Sequence, residues 1–522
     1  MRKGLLIGGL LLVITGSIGI LRRSGKEPVG PSNENHPTAG RPTQDTAPEA
    51  SPSSSIPGAI PGGPLEVQRL LRARDFAALT RLLEAKQTRL EQDIRREDEL
   101  GGALAAFDVA DPTLTPFFDA WVVAQPEAWA PQLARAWHRI AVAWQRRGSK
   151  LATDTSEDQF AGMHEALDDA IGDAREALKR NPKLTEAYRV LIRAAMGHGD
   201  QQACARLAQL GLAVAPASLR VRSALALCLR PRWGGSYDAM AALAREAQQY
   251  AGQNPALAAL LGFVDWDRGC IARKDKKYDE AAELLTRALT AGEHVLFYED
   301  RADTYFRQKR YTDALADIAH ALALVPEDEG ALITRAWVLV ALERYQDALT
   351  DVQVLSELDP TSDKLASFRQ QQTDTAVHQA YQLLETTKDV DSAIARYTWA
   401  IQLSPANAEA LYWRGRAYLL GSNDRVHALA DFESAIRLDP RHFESYRNVD
   451  WLLAQRGDWD GVIAHWTRYI DLEPLNGQAY LERGGAYHRK GDERAALADA
   501  HKACELGAPR ACELVGHATA TR

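Results

Sequence analysis

Residue types that perform chemistry are present in this chain of 522 residues, but not in the spacings that chemistry needs. His164 and Glu165, with Asp168 and Asp169, come nearest to a metal-binding helix; the second histidine of an HExxH arrangement is missing, so the group reads as a solvated helix face. The phosphate loop GxxxxGK(S/T) and the nucleophile elbow GxSxG are both absent. Acid pairs such as Asp431 and Glu433 look like helix-surface charges, since general acid-base work needs carboxylates in a shaped, partly dry cleft. Five cysteines, Cys204, Cys228, Cys270, Cys504 and Cys512, cannot all pair within the chain. The first three sit among alanines and leucines, as free buried cysteines do. No CxxC or Cys/His cluster suggests zinc, and no cofactor is expected. One loop stands out, PRWGGSYDAM from Pro231 to Met240. Its two glycines permit backbone angles closed to other residues, and Arg232, Trp233 and Tyr237 are side-chain types that dominate binding hot spots. The competing reading is a rigid turn whose tryptophan plugs the core.

The elements that must position these residues repeat. ALALVP closes on Pro326, VLSELDP on Pro360, AIQLSP on Pro405, AIRLDP on Pro440 and YIDLEP on Pro474. The steps from Pro326 to Pro360 and from Pro440 to Pro474 are 34 residues, and from Pro405 to Pro440 it is 35. Within one unit, small Ala302 lies where two helices must approach closely, and Tyr311, Ala314, Ile318 and Ala321 form the inner stripe of the second helix. A proline then ends that helix for want of an amide hydrogen. The columns recur as Ala336, Tyr345, Ala348 and Val352, as Gly415, Ala428, Phe432 and Ala435, and as Gly484, Ala496, Ala500 and Ala503. Spacing and punctuation predict an all-α array of helix-turn-helix units.

In this register the chain resembles the tetratricopeptide repeat family; Asp450 at a small position and Val462 at an alanine position depart from its pattern. The resemblance implies a right-handed superhelical solenoid whose first helices line a concave face that holds a protein or peptide. Carried onto this chain, the lining positions include Glu299, Asp303, Phe306, Ile333, Trp337, His378, Gln382, Tyr412, Arg416, Arg447, Trp451, His488 and Arg489. They run from acidic and apolar to basic, which would orient a ligand of matched charge. The lysine and asparagine pairs with which some members clamp chaperone C-termini are absent, so that partner is not implied. The runs WQRRGSKLATDTSEDQFAGM and PRWGGSYDAM look like a bacterial domain of unknown function found ahead of such repeats, covering roughly residues 65–250. The ending KACELGAPRAC resembles related solenoids in which cysteines staple adjacent helices; that implies a Cys504–Cys512 disulfide if the body lies outside the cytoplasm.

Length exceeds one compact core, which a solenoid evades because each repeat buries its face only against its neighbours. A net charge of −8 argues against a nucleic-acid partner. Residues 1–23 carry an uncharged run from Gly4 to Leu21 between basic pairs and predict a single membrane anchor, a cleaved signal sequence being the rival. Residues 24–64, rich in Pro, Ser and Gly, predict a disordered tether. Residues 65–255 predict a helical domain with divergent repeats, and 256–522 the main array. The short basic N-terminus places the body across the inner membrane, in the periplasm. The expected function is a non-catalytic, membrane-tethered scaffold. The rivals are an enzyme with an unrecognised site near the PRWGGS loop and a self-assembling envelope component. Oligomeric state is left open.

Overall fold

A computed structural model describes residues 60–148, 154–421 and 423–513. The predicted anchor and most of the predicted tether lie outside them. Among the described residues there is no strand, and no helix is long and apolar enough to cross a membrane. The chain opens with α1 (Pro64–Arg72), α2 (Phe76–Gln92), α3 (Glu97–Ala105) and α4 (Thr115–Ala124). Antiparallel pairs follow: α5 (Ala130–Arg147) with α6 (Glu157–Arg180), α7 (Thr185–Gly197) with α8 (Gln201–Val214), α9 (Leu219–Cys228) with α10 (Tyr237–Ala247), α11 (Phe263–Lys274) with α12 (Tyr278–Ala291) and α13 (Val295–Arg307) with α14 (Tyr311–Leu324). The later pairs are α15 (Glu329–Ala341) with α16 (Tyr345–Leu358), α17 (Asp363–Gln382) with α18 (Val390–Leu403), α19 (Ala408–Leu420) with α20 (Arg425–Leu438), α21 (Phe443–Ala454) with α22 (Trp459–Leu472) and α23 (Gly477–Lys490) with α24 (Glu493–Glu505).

The repeat columns explain the pairing. Ala302, Ala336, Ala314, Ala348 and Ala428 are fully buried where paired helices touch. Bidentate ion pairs join first helix to second and form a column the sequence reading missed: Arg301–Asp317, Arg335–Asp351, Arg414–Asp431 and Arg483–Asp499. In α21/α22 the column is replaced; Asp450 instead accepts a bond from Trp466 Nε1 at 3.1 Å. First helices end on a left-handed residue, for example Lys276, Lys309, Glu343, Gly457 and Gly491. The next amide reaches back to the helix, as Arg310 N does to Tyr305 O at 2.8 Å. The polar stretch TSDKLASFRQQQTD lies in α17, a first helix of 20 residues that runs into a π-helical turn, Leu383–Thr387.

The N-terminal helices do not extend the stack. They share one core with α5, α6 and α7, in which Val67, Leu71, Leu79, Phe107, Phe118 and Trp121 meet Trp129, Trp137, Leu167 and Val190. From there they brace the turns that connect one pair to the next. Glu97 accepts bonds from Ser218 Oγ, the Leu219 and Arg220 amides and Asn254 Nδ2, at 2.7, 2.8, 3.2 and 3.0 Å. Farther along, the Glu327 carboxylate accepts the amides of Ile60 and Leu65 at 3.2 and 2.8 Å. Leu65 is buried in one apolar cluster with Leu332, Ile333 and Leu358, and Arg69 pairs with Glu357 at 2.8 Å. Residues 60–64, assigned to the tether, are therefore part of the folded body. An array built from neighbour contacts alone has no such long-range bonds.

Candidate functional site

The first helices α17, α19 and α21 carry a polar-aromatic surface. Tyr381 and Trp413 meet edge to face at 5.2 Å, and the Arg416 guanidinium lies 5.4 Å from the Trp413 ring. Trp413 Nε1 donates to Glu409 at 2.5 Å, whose other oxygen lies 3.3 Å from His442 Nε2. That imidazole holds the Glu409 carboxyl below its usual range, and Glu409 raises His442 in return. Beneath them is Tyr397, fully buried, with a hydroxyl that has no hydrogen-bond partner. Glu409, Tyr381, Arg416 and Glu385 are the titratable groups around that hydroxyl, and burial pushes it upward. An unpaired buried hydroxyl costs about 1–3 kcal/mol unless something supplies an acceptor or donor. The π-helical turn closing α17 adjoins this surface, and such turns gather at functional positions.

Two of the predicted lining residues, Phe306 and Trp337, border one cavity, and Asp303 borders another. Of the predicted set, Arg416 joins the surface just described, and Tyr412, buried under it, packs its ring 5.2 Å from Trp413 and 4.9 Å from His442. Trp337 stacks edge-on to Phe368 at 4.8 Å and lines a separate cavity of about 360 Å³ with Phe306, Gln372 and Trp399. Trp451 is 45% exposed, beside the Arg425 guanidinium. Arg447 is held between Glu444 and Glu482, and His488 by Glu493 at 2.7 Å. Glu299 lies against Asp328 beside Gly330; burial and that second carboxyl push its pKa well up. Tyr381 and Trp413 were missed because they fall between the inherited positions; an aromatic flanking each inherited residue was the available signal.

Asp303 and Arg232, assigned to different patches, line one cavity of about 530 Å³. Trp233 is instead structural: its ring packs edge-on against Trp144 at 5.7 Å and its carbonyl accepts from Gln201 at 2.6 Å. Tyr237 donates to Asp267 at 3.1 Å. Gly234 takes a left-handed φ of 88°, while at Gly235 a Cβ would strike the Leu229 carbonyl. The expectation of three free cysteines fails, because Cys204 and Cys228 are disulfide-bonded across neighbouring hairpins, leaving Cys270 free. Cys504 and Cys512 are bonded too, their Cα atoms 4.8 Å apart. His164 lies against His198, Glu165 pairs with Arg146, and among the described residues no cluster of three or more ligating side chains could hold a metal.

Residues 267–329 and 382–442 match the family model described as Tetratricopeptide repeat. The chain carries tetratricopeptide repeats. Ahead of them, residues 65–209 match a domain of unknown function, DUF4034. The tetratricopeptide array is similar to human Tetratricopeptide repeat protein 6, 23% identical over 47% of this chain and 58% of that protein. It is also similar to a DnaJ homolog subfamily C member 7 homolog of Schizosaccharomyces pombe, 25% identical over 45% of this chain and 54% of that protein. This chain thus spans somewhat over half the length of those relatives. A shorter stretch, 16% of this chain and 31% of the relative, is 33% identical to the rat mitochondrial import receptor subunit TOM34. Among solved structures, the tetratricopeptide domain of P58(IPK) aligns over 69% of this chain and 98% of its own at 15% identity, with a TM-score of 0.23.

Proposed function

We propose that this protein is a non-catalytic scaffold that docks a protein or peptide on the surface formed by α17, α19 and α21. The observation that carries this reading is the exposed Tyr381 ring set edge to face on Trp413, with the Arg416 guanidinium beside it. The aromatic and guanidinium groups give a low-entropy contact area. Tetratricopeptide repeats and a relative named as an import receptor subunit support the same reading. Residues 1–23 anchor the protein in the inner membrane in this proposal, with the body in the periplasm. The two disulfides support that side, since such bonds persist in oxidising compartments.

Crosslinking from the full-length protein in its native membrane, followed by identification of captured chains, tests the docking. Tyr381→Ala with Arg416→Ala is expected to abolish one captured band while leaving the thermal melt unchanged; undiminished capture would refute the site. A reporter fused to the C-terminus tests placement: activity of a reporter that works only in the cytoplasm overturns the exported body.

A further inference from the structure

A second surface has a different chemistry. The 530 Å³ cavity lies where the PRWGGS turn meets the ends of α11 and α13. Six cationic side chains line it, Arg230, Arg232, Arg273, Lys274, Lys276 and Arg307, against the two lining acids Asp300 and Asp303. Those acids are already engaged. Asp300 accepts Trp266 Nε1 at 2.6 Å, Cys270 Sγ at 3.2 Å and Arg273 at 2.5 Å. Asp303 pairs with Arg273 and with Arg307, and Asp267 behind the wall pairs with Arg230. Among the described residues, Arg232, Lys274 and Lys276 have no ion pair or hydrogen bond through their side chains. Burial and the neighbouring Arg230 charge disfavour the Arg232 cation, so the wall holds positive charge that an incoming anion would relieve. Cys270 adds no nucleophile; burial and Asp300 push its thiol far upward.

We propose that this cavity docks an acidic peptide segment, two or more of whose carboxylates pair with Arg232, Lys274 and Lys276. The three free cations come from a turn, a helix end and a residue just past it, and an acidic chain can offer each of them its own carboxylate. Trp266 and Tyr278 supply apolar wall between the charges. The site rests on the reading of the chain as a peptide-binding scaffold but shares no residue with the Tyr381 surface, so each can fail alone.

The test is fluorescence anisotropy of the full chain with a dye-labelled peptide of alternating glutamate and tyrosine, at low salt. Binding is expected, weakening as ionic strength rises to about 0.5 M. Arg232→Glu with Lys274→Glu and Lys276→Glu is expected to weaken it roughly tenfold or more, since repulsion replaces attraction. Lys388→Glu, an exposed charge change elsewhere, should leave it unchanged, as should Tyr381→Ala with Arg416→Ala. No binding at low salt overturns the proposal. So does an affinity indifferent to the triple reversal, or full displacement of the peptide by inorganic phosphate at stoichiometric concentration, which would mark a simple anion site. Loss of peptide binding through Tyr381→Ala would place the peptide on the other surface and also overturn it.

Discussion

The first hairpins of the array and the last ones solve the same packing problem with different supports. From α7 to α16, the inter-hairpin turns are braced by the N-terminal helices through Glu97, Asp98, Leu65 and Arg69. From α17 to α24, the hairpins hold only their neighbours. Bracing converts a nearest-neighbour stack into a unit with long-range contacts, which unfolds more cooperatively; the unbraced half keeps freedom to adjust to a partner. The largest expected effect follows from removing a brace. Glu97→Ala leaves two helix amides, Ser218 and Asn254 without their buried acceptor, and should destabilise the chain by roughly 3 kcal/mol or more. Urea unfolding followed by hydrogen exchange should show the loss in α7 to α16, with α19 to α24 nearly unchanged; equal loss in both halves would break the distinction.

A second variant attacks the same seam sterically. Gly101 has no room for a Cβ because the Arg220 guanidinium crosses it, held by Glu186 at 2.6 Å and Asp98 at 3.0 Å. Gly101→Val should expel Arg220, strand buried Glu186 beside Arg189 alone, and lower stability by about 2 kcal/mol. Thermal denaturation measures it, and Gly102→Val, where nothing lies within reach, is the matched control.

That seam was invisible in the sequence, whereas the hairpins were plain. Ala302, Ala336 and Gly415 were legible because close helix approach forbids larger side chains, and that constraint recurs every repeat. Glu97 and Ser218 meet across 121 residues, and nothing local at either end records it. The Arg301–Asp317 column was written in the repeat, but a charged pair looks like any solvated helix face until its burial is known. Cys204 and Cys228 read as free because their apolar neighbours explain burial equally well; only the packing of one hairpin on the next brings them together. At the candidate site, inherited positions located Arg416 but not Tyr381, which stands one residue before the inherited Gln382, nor Tyr397, which lies on the second helix α18.

Acid separates the halves by sign. In the braced half, burial holds His294 down to about 4, and its Nδ1 accepts the Leu296 amide, which favours the neutral ring. The unfolded imidazole takes a proton near its ordinary pKa, so this contribution to stability is lost as pH falls from about 6.5 towards 4. In the open half, burial raises Asp450 to about 6. Its neutral form is favoured by folding, so this contribution to stability is gained as pH falls through 6 and is complete below the ordinary carboxyl range. His294→Phe should flatten the acid-side loss in α7 to α16, and Asp450→Asn the gain in α21 and α22, read by hydrogen exchange at pH 7 and pH 5. Slopes of the same sign in both regions would contradict the assignment.

The smallest expected effect lies in the turns that close the first helices. Both halves place side chains in the left-handed region, Lys309 at φ 62° and Glu343 at φ 59° in the braced one and Lys388 at φ 58° and Asn423 at φ 51° in the open one, while Gly199, Gly457 and Gly491 take it in other turns. A Cβ in that region costs about 1 kcal/mol, which part of glycine's larger unfolded entropy offsets. Lys309 makes no ion pair among the described residues, so its replacement removes strain and little else. Lys309→Gly should therefore stabilise the chain by a few tenths to about 1 kcal/mol, and Gly457→Lys should destabilise it by a similar amount. Because Gly457 lies in hairpins supported only by their neighbours, its strain should surface locally, as faster exchange in α21 and α22. The gain at Lys309 should be shared across the braced hairpins, where the turn is coupled to the rest. A local response at both turns would mean that the bracing stops short of α13, and would confine the cooperative unit to the helices that Glu97 reaches.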